Sequence, residues 1–344
     1  MIKAAKDKGQ AMTGMVSHIA DSPGAIALRP APSRRTAEGN GLFVIDKPMG
    51  MTSFDVVARI KKWLRPKKVG HCGTLDPFAT GVLLICMNQA TRVVDQLTDQ
   101  DKTYRFTVQF GVETDTLDRT GQVIHTREAP ACSEDELESA LERFRCSYLQ
   151  EVPRYSAVKV QGRRLYSLTR SGIDVEELPS REVHIRSLEL LDVNWPRASF
   201  EACCSKGTYI RQLAADIGRY LGCGGHVSEL RRLASGHFRI DQAVSIDELD
   251  EAVSRGIWRE KLIPVSDALA HLPAAVLEDA FAVQRLVEGQ MDPVWEAENR
   301  TRFPVGDEPV RILTPSNHLI ALWWPHPGPE QKRRLRVFGP VPET

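Results

Sequence analysis

No apolar run in these 344 residues approaches the roughly 20 that a membrane-crossing helix needs. The first residues lack the apolar core of a secretory signal. Seven cysteines are scattered without a C-x-x-C pair, so no disulfide framework is expected and the setting read from them is reducing and cytoplasmic. No G-x-G-x-x-G follows a strand. Lys47-Pro48-Met49-Gly50-Met51-Thr52-Ser53 has lysine, glycine and hydroxyls in the wrong order for a phosphate loop, which argues against nucleotide cofactors. There is no G-x-S-x-G elbow, and Cys72 directly beside His71 is poorly spaced for a nucleophile and its base. Cys203, Cys204, Cys223 and His226 could be assembled into a zinc site, but adjacent residues on a strand point to opposite faces, so no metal is expected. Net charge is also missing: 45 basic residues balance 45 acidic ones.

The charge that is present is unevenly spread. Arg59, Lys61, Lys62, Arg65, Lys67 and Lys68 crowd together without an acid. Arg154, Lys159, Arg163, Arg164 and Arg170 form a second cluster, and Lys206, Arg211, Arg231, Arg232 and Arg239 a third. Acids gather at 134–142, 174–177, 247–251 and in the C-terminal third. Such segregation gives a neutral protein one basic face for a nucleic acid, although any single cluster is equally a solvated helix face.

The chain is long enough for two domains. Residues 1–40 show no periodicity and read as a mobile extension. Leu42 to Ile45 reads as a buried strand, broken by Asp46 to Gly50. Thr52 or Ser53 then caps a helix whose apolar stripe is Val56, Val57, Ile60, Trp63 and Leu64, stopped by Pro66. Val82 to Cys86 reads as a second buried strand. Tyr104, Phe106, Val108 and Phe110 share a strand face, and Thr114 to Gly121 reads as a loop. Ser133 and Glu136 form a capping box for a helix to Phe144. Strands follow at 183–193 and 199–204, then an amphipathic helix from Tyr209 to Leu221 closed by Gly222, with Leu230 and Leu233 marking a buried face. Strands and helices without a strict βαβ rhythm make the expected class α+β, with a central mixed or antiparallel sheet. A boundary falls near Pro264 to Pro273, and beyond it a short helix at 279–288 and strands at 311–313, 319–324 and 335–338 make a small β-rich unit.

Residues 70–81, Gly-His-Cys-Gly-Thr-Leu-Asp-Pro-Phe-Ala-Thr-Gly, hold one acid, Asp76, among glycines and a proline. Taken alone, the spacing is that of a tight turn whose aspartate caps an amide. The company widens the reading. Tyr104, Tyr155 and Tyr209 are aromatic faces on which a base could lie, and Arg211 beside Asp76 would hold it as a carboxylate. A carboxylate is a usable covalent nucleophile, and chemistry on a base requires that base out of its stack against aromatic contacts.

These residues resemble a known family. Gly70-His71-x-Gly73-Thr74-Leu75-Asp76-Pro77-x-Ala79-Thr80-Gly81-Val82-Leu83 is similar to the catalytic motif of the TruB family of RNA pseudouridine synthases. Asp46 to Ser53 (D-K-P-x-G-x-T-S), Lys102-x-Tyr104 with Thr114-Asp115-Thr116-x-Asp118, Tyr155-Ser156-Ala157-x-Lys159, Ser205 to Arg211 and Gly222 to Arg232 match further segments, so the resemblance covers nearly all of 41–344. It implies a catalytic domain over 41–270 and a PUA-like RNA-binding domain over 271–344. It implies conversion of uridine to pseudouridine at the T-loop uridine 55 of tRNA, without cofactor, metal or guide RNA, by a monomer that touches no membrane. By matching position, Asp76 is the nucleophile, attacking C6 of the uracil or C1′ of the ribose. Tyr104 stacks on the base, and Arg211 pairs with Asp76. Tyr209 and Leu230 line the pocket, with Lys47 nearby, and His71 holds the rearranged RNA loop. Cys72, Val152 and Arg92 depart from the family's usual threonine or glycine, proline and lysine.

Overall fold

The computed structural model describes residues 39–339 apart from 161, 174, 176, 304 and 329–333. Of the extension expected over 1–40, all but its last two residues lie outside the described range.

The apolar run at 42–45 sits inside β1 (Gly41–Lys47), almost wholly buried. The chain then turns into α1 (Ser53–Leu64). Its cap is reciprocal: the Thr52 hydroxyl accepts the Asp55 amide, and the Asp55 carboxylate accepts the Thr52 amide. Such a cap is worth about 1 kcal/mol. Val56, Val57, Ile60 and Leu64 turn inward, while Arg59, Lys61 and Lys62 stay in solvent. Arg65 takes a left-handed backbone, φ 50°, ahead of Pro66 and ends the helix.

β2 (Val69–Cys72) and β3 (Thr80–Met87) pair antiparallel, so only 73–79 is a loop. The loop expected over 70–81 therefore begins and ends as strand. The cause is the apolar run of β3, which takes β2 as an extra strand on its flank. After α2 (Val94–Thr98) comes β4 (Lys102–Phe110), whose alternate residues are buried as the sequence pattern requires. Thr114 to Gly121 forms the turn between β5 (Val112–Thr114) and β6 (Val123–Thr126). Then follow α3 (Glu134–Glu142) behind its Ser133–Glu136 box, β7 (Ser147–Glu151), and the short β8 (Lys159–Val160) and β9 (Arg163–Arg164). α4 (Leu165–Arg170), β10 (Ser180–Asn194), β11 (Arg197–Cys204), α5 (Ile210–Tyr220) and β12 (Gly225–Ser235) complete this part.

The main sheet runs Val244–Ser245, β1, β3, β12, β4, β11, β10, β7. It is mixed: β12 pairs with β3 in parallel and with β4 antiparallel. β12 was legible only as a buried face at Leu230 and Leu233, and it is the central strand. Bulges between Val227 and Glu229 and between Arg232 and Ala234 break its two-residue period. As a result Arg232 is buried and Leu233 is only half-buried. Gly81 permits the parallel pair, since a Cβ there would stand 2.2 Å from the Arg232 carbonyl oxygen.

α1, α3 and α5 cover one face of the sheet, packing Val56, Ile60, Leu137, Leu213 and Ile217 on Phe43, Leu83, Phe106 and Val108. Under β1 and β3, Leu42, Val44, Leu84 and Cys86 meet Leu322, Trp324 and Phe338 from the C-terminal stretch. That stretch builds a four-stranded sheet, Ala274–Val276, Val310–Leu313, Leu319–Trp323 and Leu335–Val337, with its own core around Ile312 and Trp323. The helix Ala280–Val287 is capped by Asp279 and ends at Gly289; a second helix, Pro293–Arg300, was not expected.

Candidate active site

The 73–79 loop is held by residues that precede and open α1. Ser53 Oγ accepts the Leu75 amide at 2.9 Å and donates to the Leu75 carbonyl at 3.2 Å. The Gly50 amide donates to the Pro77 carbonyl at 2.8 Å. Lys47 is wholly buried, and its ammonium donates to the carbonyls of Met51 at 2.7 Å, Pro48 at 2.9 Å and Pro77 at 3.4 Å. Burial pushes it down to about 8, while the Asp76 charge works in the opposite direction. Asp46 takes Arg231 in two contacts, at 2.7 and 3.1 Å, and Arg231 also reaches Thr80 Oγ1 at 3.2 Å. The Asp46 to Ser53 segment is thus a cradle for the loop that carries Asp76.

Asp76 projects to the first turn of α5, where Arg211 meets it. Arg211 Nε lies 2.9 Å from Asp76 Oδ2, and Nη2 donates to Oδ1 at 3.5 Å. The arginine is buried, its side chain 5% exposed, and the aspartate is 36% exposed, so the carboxylate opens to the cavity from an enclosed guanidinium. The remaining donors of Arg211 go to the carbonyls of Thr116 at 2.8 Å and Tyr155 at 3.0 Å, and Asp118 Oδ2 stands 3.7 Å away. The polar turn 114–121 makes that arrangement. Asp118 accepts from Thr116 Oγ1, the Thr120 amide and Thr120 Oγ1 at 2.9, 2.9 and 2.6 Å.

A cavity of about 380 Å³ opens over Asp76. Tyr104, Tyr155, Tyr209, Arg211 and Leu230 line it. Tyr104 rises from β4, and burial pushes its phenol up. Tyr209 is fixed at the head of α5, where its amide and carbonyl hold the buried Gln150 side chain at 2.8 and 3.1 Å. The structure therefore brings Asp76, Tyr104, Tyr209, Arg211 and Leu230 together. It does not bring Lys47 or His71 to the cavity wall. Lys47 lies beneath the loop, and His71 is half-buried on β2 opposite Ile85, with its Nδ1 enclosed and unpartnered. Burial, then the Arg232 charge, pushes His71 down.

Three residues here had no role in the sequence reading. Asp118 and Lys102 stood only within matched segments, and Arg232 only at the end of one and within a basic cluster. Lys102 lines the cavity, donates to the carbonyls of Thr98 and Gln100, and is pushed down to about 8 by burial and then by Arg232. Of the residues weighed as metal ligands, His226 Nδ1 meets the Val112 carbonyl at 2.8 Å, the Cys223 thiol faces the Gly218 and Gly224 carbonyls, and Cys204 is buried in the core.

The chain matches two family models: the TruB family pseudouridylate synthase N-terminal domain over residues 61–210 and the tRNA pseudouridylate synthase B C-terminal domain over 211–271. It is 56% identical over 304 residues to tRNA pseudouridine synthase B of Syntrophobacter fumaroxidans, covering 88% of this chain and 99% of that protein. The Geobacter sulfurreducens protein of the same name is 44% identical over 309 residues, covering 87% of this chain and all of its own. Among solved structures, a chain of an H/ACA ribonucleoprotein bound to a substrate RNA containing 2′-deoxyuridine aligns with TM-score 0.63 at 26% identity, over 86% of this chain and 82% of that one. A chain of a Cbf5-Nop10-Gar1 complex aligns with TM-score 0.64 at 27% identity, over 88% and 84%.

Proposed function

This chain belongs to the TruB family of tRNA pseudouridine synthases, isomerases that convert uridine in tRNA to pseudouridine, and on that premise we propose that it acts on the T-loop uridine 55 with Asp76 as nucleophile. The observation that carries the residue assignment is the Asp76–Arg211 pair at 2.9 Å, opening on a cavity walled by four tyrosines, Tyr104, Tyr155, Tyr166 and Tyr209. A cavity of about 380 Å³ suits one flipped nucleoside. Asp76 forms a bond to C6 of the uracil or C1′ of the ribose, the glycosidic bond breaks, the uracil turns and C5 bonds to C1′; the bond to Asp76 breaks to restore the carboxylate, and a base takes the C5 proton. Tyr104 carries the base on its ring, Arg211 fixes the carboxylate, and Tyr209 and Leu230 close the pocket. Lys47 acts from beneath, through the loop it anchors. His71, exposed on one side of β2, meets the RNA beside the flipped nucleotide.

The protein works as a monomer in the cytoplasm, with tRNA gripped at its T-arm by the basic face and by a PUA-like domain over 271–344. No helix among the described residues is long and apolar enough to cross a membrane. Supporting a stand-alone enzyme are the relatives' names and the near-complete coverage of their length. The test uses purified protein, unmodified tRNA carrying C5-tritiated uridine, and no guide RNA. Wild type is expected to release tritium and Asp76→Asn none. Silence from wild type refutes a stand-alone enzyme, and release from the variant refutes the nucleophile.

A further inference from the structure

Arg232 is a buried cation without a carboxylate. It is 1% exposed, and among the described residues no acid pairs with it. Enclosing an unpaired guanidinium is unfavourable unless fixed dipoles replace the lost water. The dipoles here are chosen by position. Nε donates to the Val82 carbonyl at 2.6 Å and Nη2 to the Gly73 carbonyl at 3.1 Å. Gly73 is the first residue of the Asp76 loop, and Val82 lies just beyond its far end. On the other side, Arg232 stands directly opposite Tyr104 in the β12–β4 register. Both residues line the cavity with Asp76. The neighbouring Arg231, by contrast, takes Asp46 as its partner.

We propose that Arg232 is a positioning residue for the isomerisation: one planar guanidinium ties the start of the Asp76 loop to β3 beyond its end, from the β12 position that faces Tyr104, and so fixes the carboxylate relative to the ring that carries the uracil. The inference rests on the roles given above to Asp76 and Tyr104. The fork geometry is essential to it, because two carbonyls reached from different nitrogens suit a guanidinium and not the point charge of a lysine. Its charge also favours ionisation of the phenol, against the burial that opposes it.

The test compares Arg232→Lys, Tyr104→Phe and the double variant in the full chain, using single-turnover tritium release and tRNA retention on filters. Arg232→Lys keeps the stem and the charge, and is expected to bind tRNA within about twofold of wild type while losing on the order of 50-fold in rate. The double variant is expected to lose far less than the product of the single losses, because the two residues face each other across one register pair and serve the same geometry. In Arg232→Gln, the phenolate absorbance that disappears in Tyr104→Phe is expected to titrate at higher pH than in wild type. A rate within about threefold of wild type in Arg232→Lys overturns the proposal. So do multiplicative losses in the double variant, or an unmoved phenol in a folded Arg232→Gln protein. Inactive wild type defeats instead the reading on which it rests.

Discussion

Arg211 holds Asp76 with the Nε and Nη2 edge of its guanidinium, while Nη2 also donates to the Tyr155 carbonyl and Nη1 to that of Thr116. The pair is therefore a fixed strut between α5, the 114–121 turn and the segment leading into β8, and not a free ion pair. Arg211→Lys retains the charge and loses the fork. Its single-turnover rate is expected to fall at least about 100-fold, near 2.7 kcal/mol of transition-state stabilisation. tRNA binding should change little, which filter retention checks.

Ser53 satisfies both polar groups of Leu75 from the start of α1. Ser53→Ala leaves the Leu75 amide buried without a partner, at about 1–3 kcal/mol. Urea unfolding should register that loss, and turnover should fall with it because Leu75 precedes Asp76.

Gly81 faces the Arg232 carbonyl with room for a hydrogen only and has φ +103°. Gly81→Ala is expected to separate β3 from β12 and to destabilise by on the order of 3 kcal/mol or more. Thermal melts of the variant against wild type measure this. An unchanged melting temperature would contradict the close approach.

Lys47 gives a pH signature. Burial pushes it from its ordinary 10.5 down to about 8. Between those values the unfolded chain binds a proton that the folded one does not, so stability rises as pH climbs from about 8 toward 10.5 and this contribution is absent below 8. Lys47→Met removes it. The stability of wild type over the variant should widen by about 1.4 kcal/mol per pH unit across that window, as read by urea unfolding. A constant difference would refute the assignment.

The elements that follow a simple period were legible: β1, the α1 stripe, the alternation of β4, a hydroxyl cap at the start of α1 and the Ser133–Glu136 capping box all answer to local rules. β12 was not, because two bulges interrupt its period and place Arg232 inside where Leu233 was the natural choice. Asp76, Tyr104 and Arg211 could be grouped from residue type and family resemblance. Their distances could not, because these depend on register between strands far apart in the chain. The burial of Lys47 was also out of reach: nothing local distinguishes a lysine under a loop from one at a pocket rim.

The order in which the chain is made gives the site a further property. Asp76 comes early, but Arg211 lies 135 residues after it and Arg232 lies 159 residues after Gly73. Synthesis runs from the N-terminus, and contacts of such long sequence separation form late. A nascent or truncated chain ending before β12 lacks the strand that joins β3 to β4. It can present the aspartate but has no assembled pocket around it. Competence to modify RNA is thereby tied to completion of the central sheet.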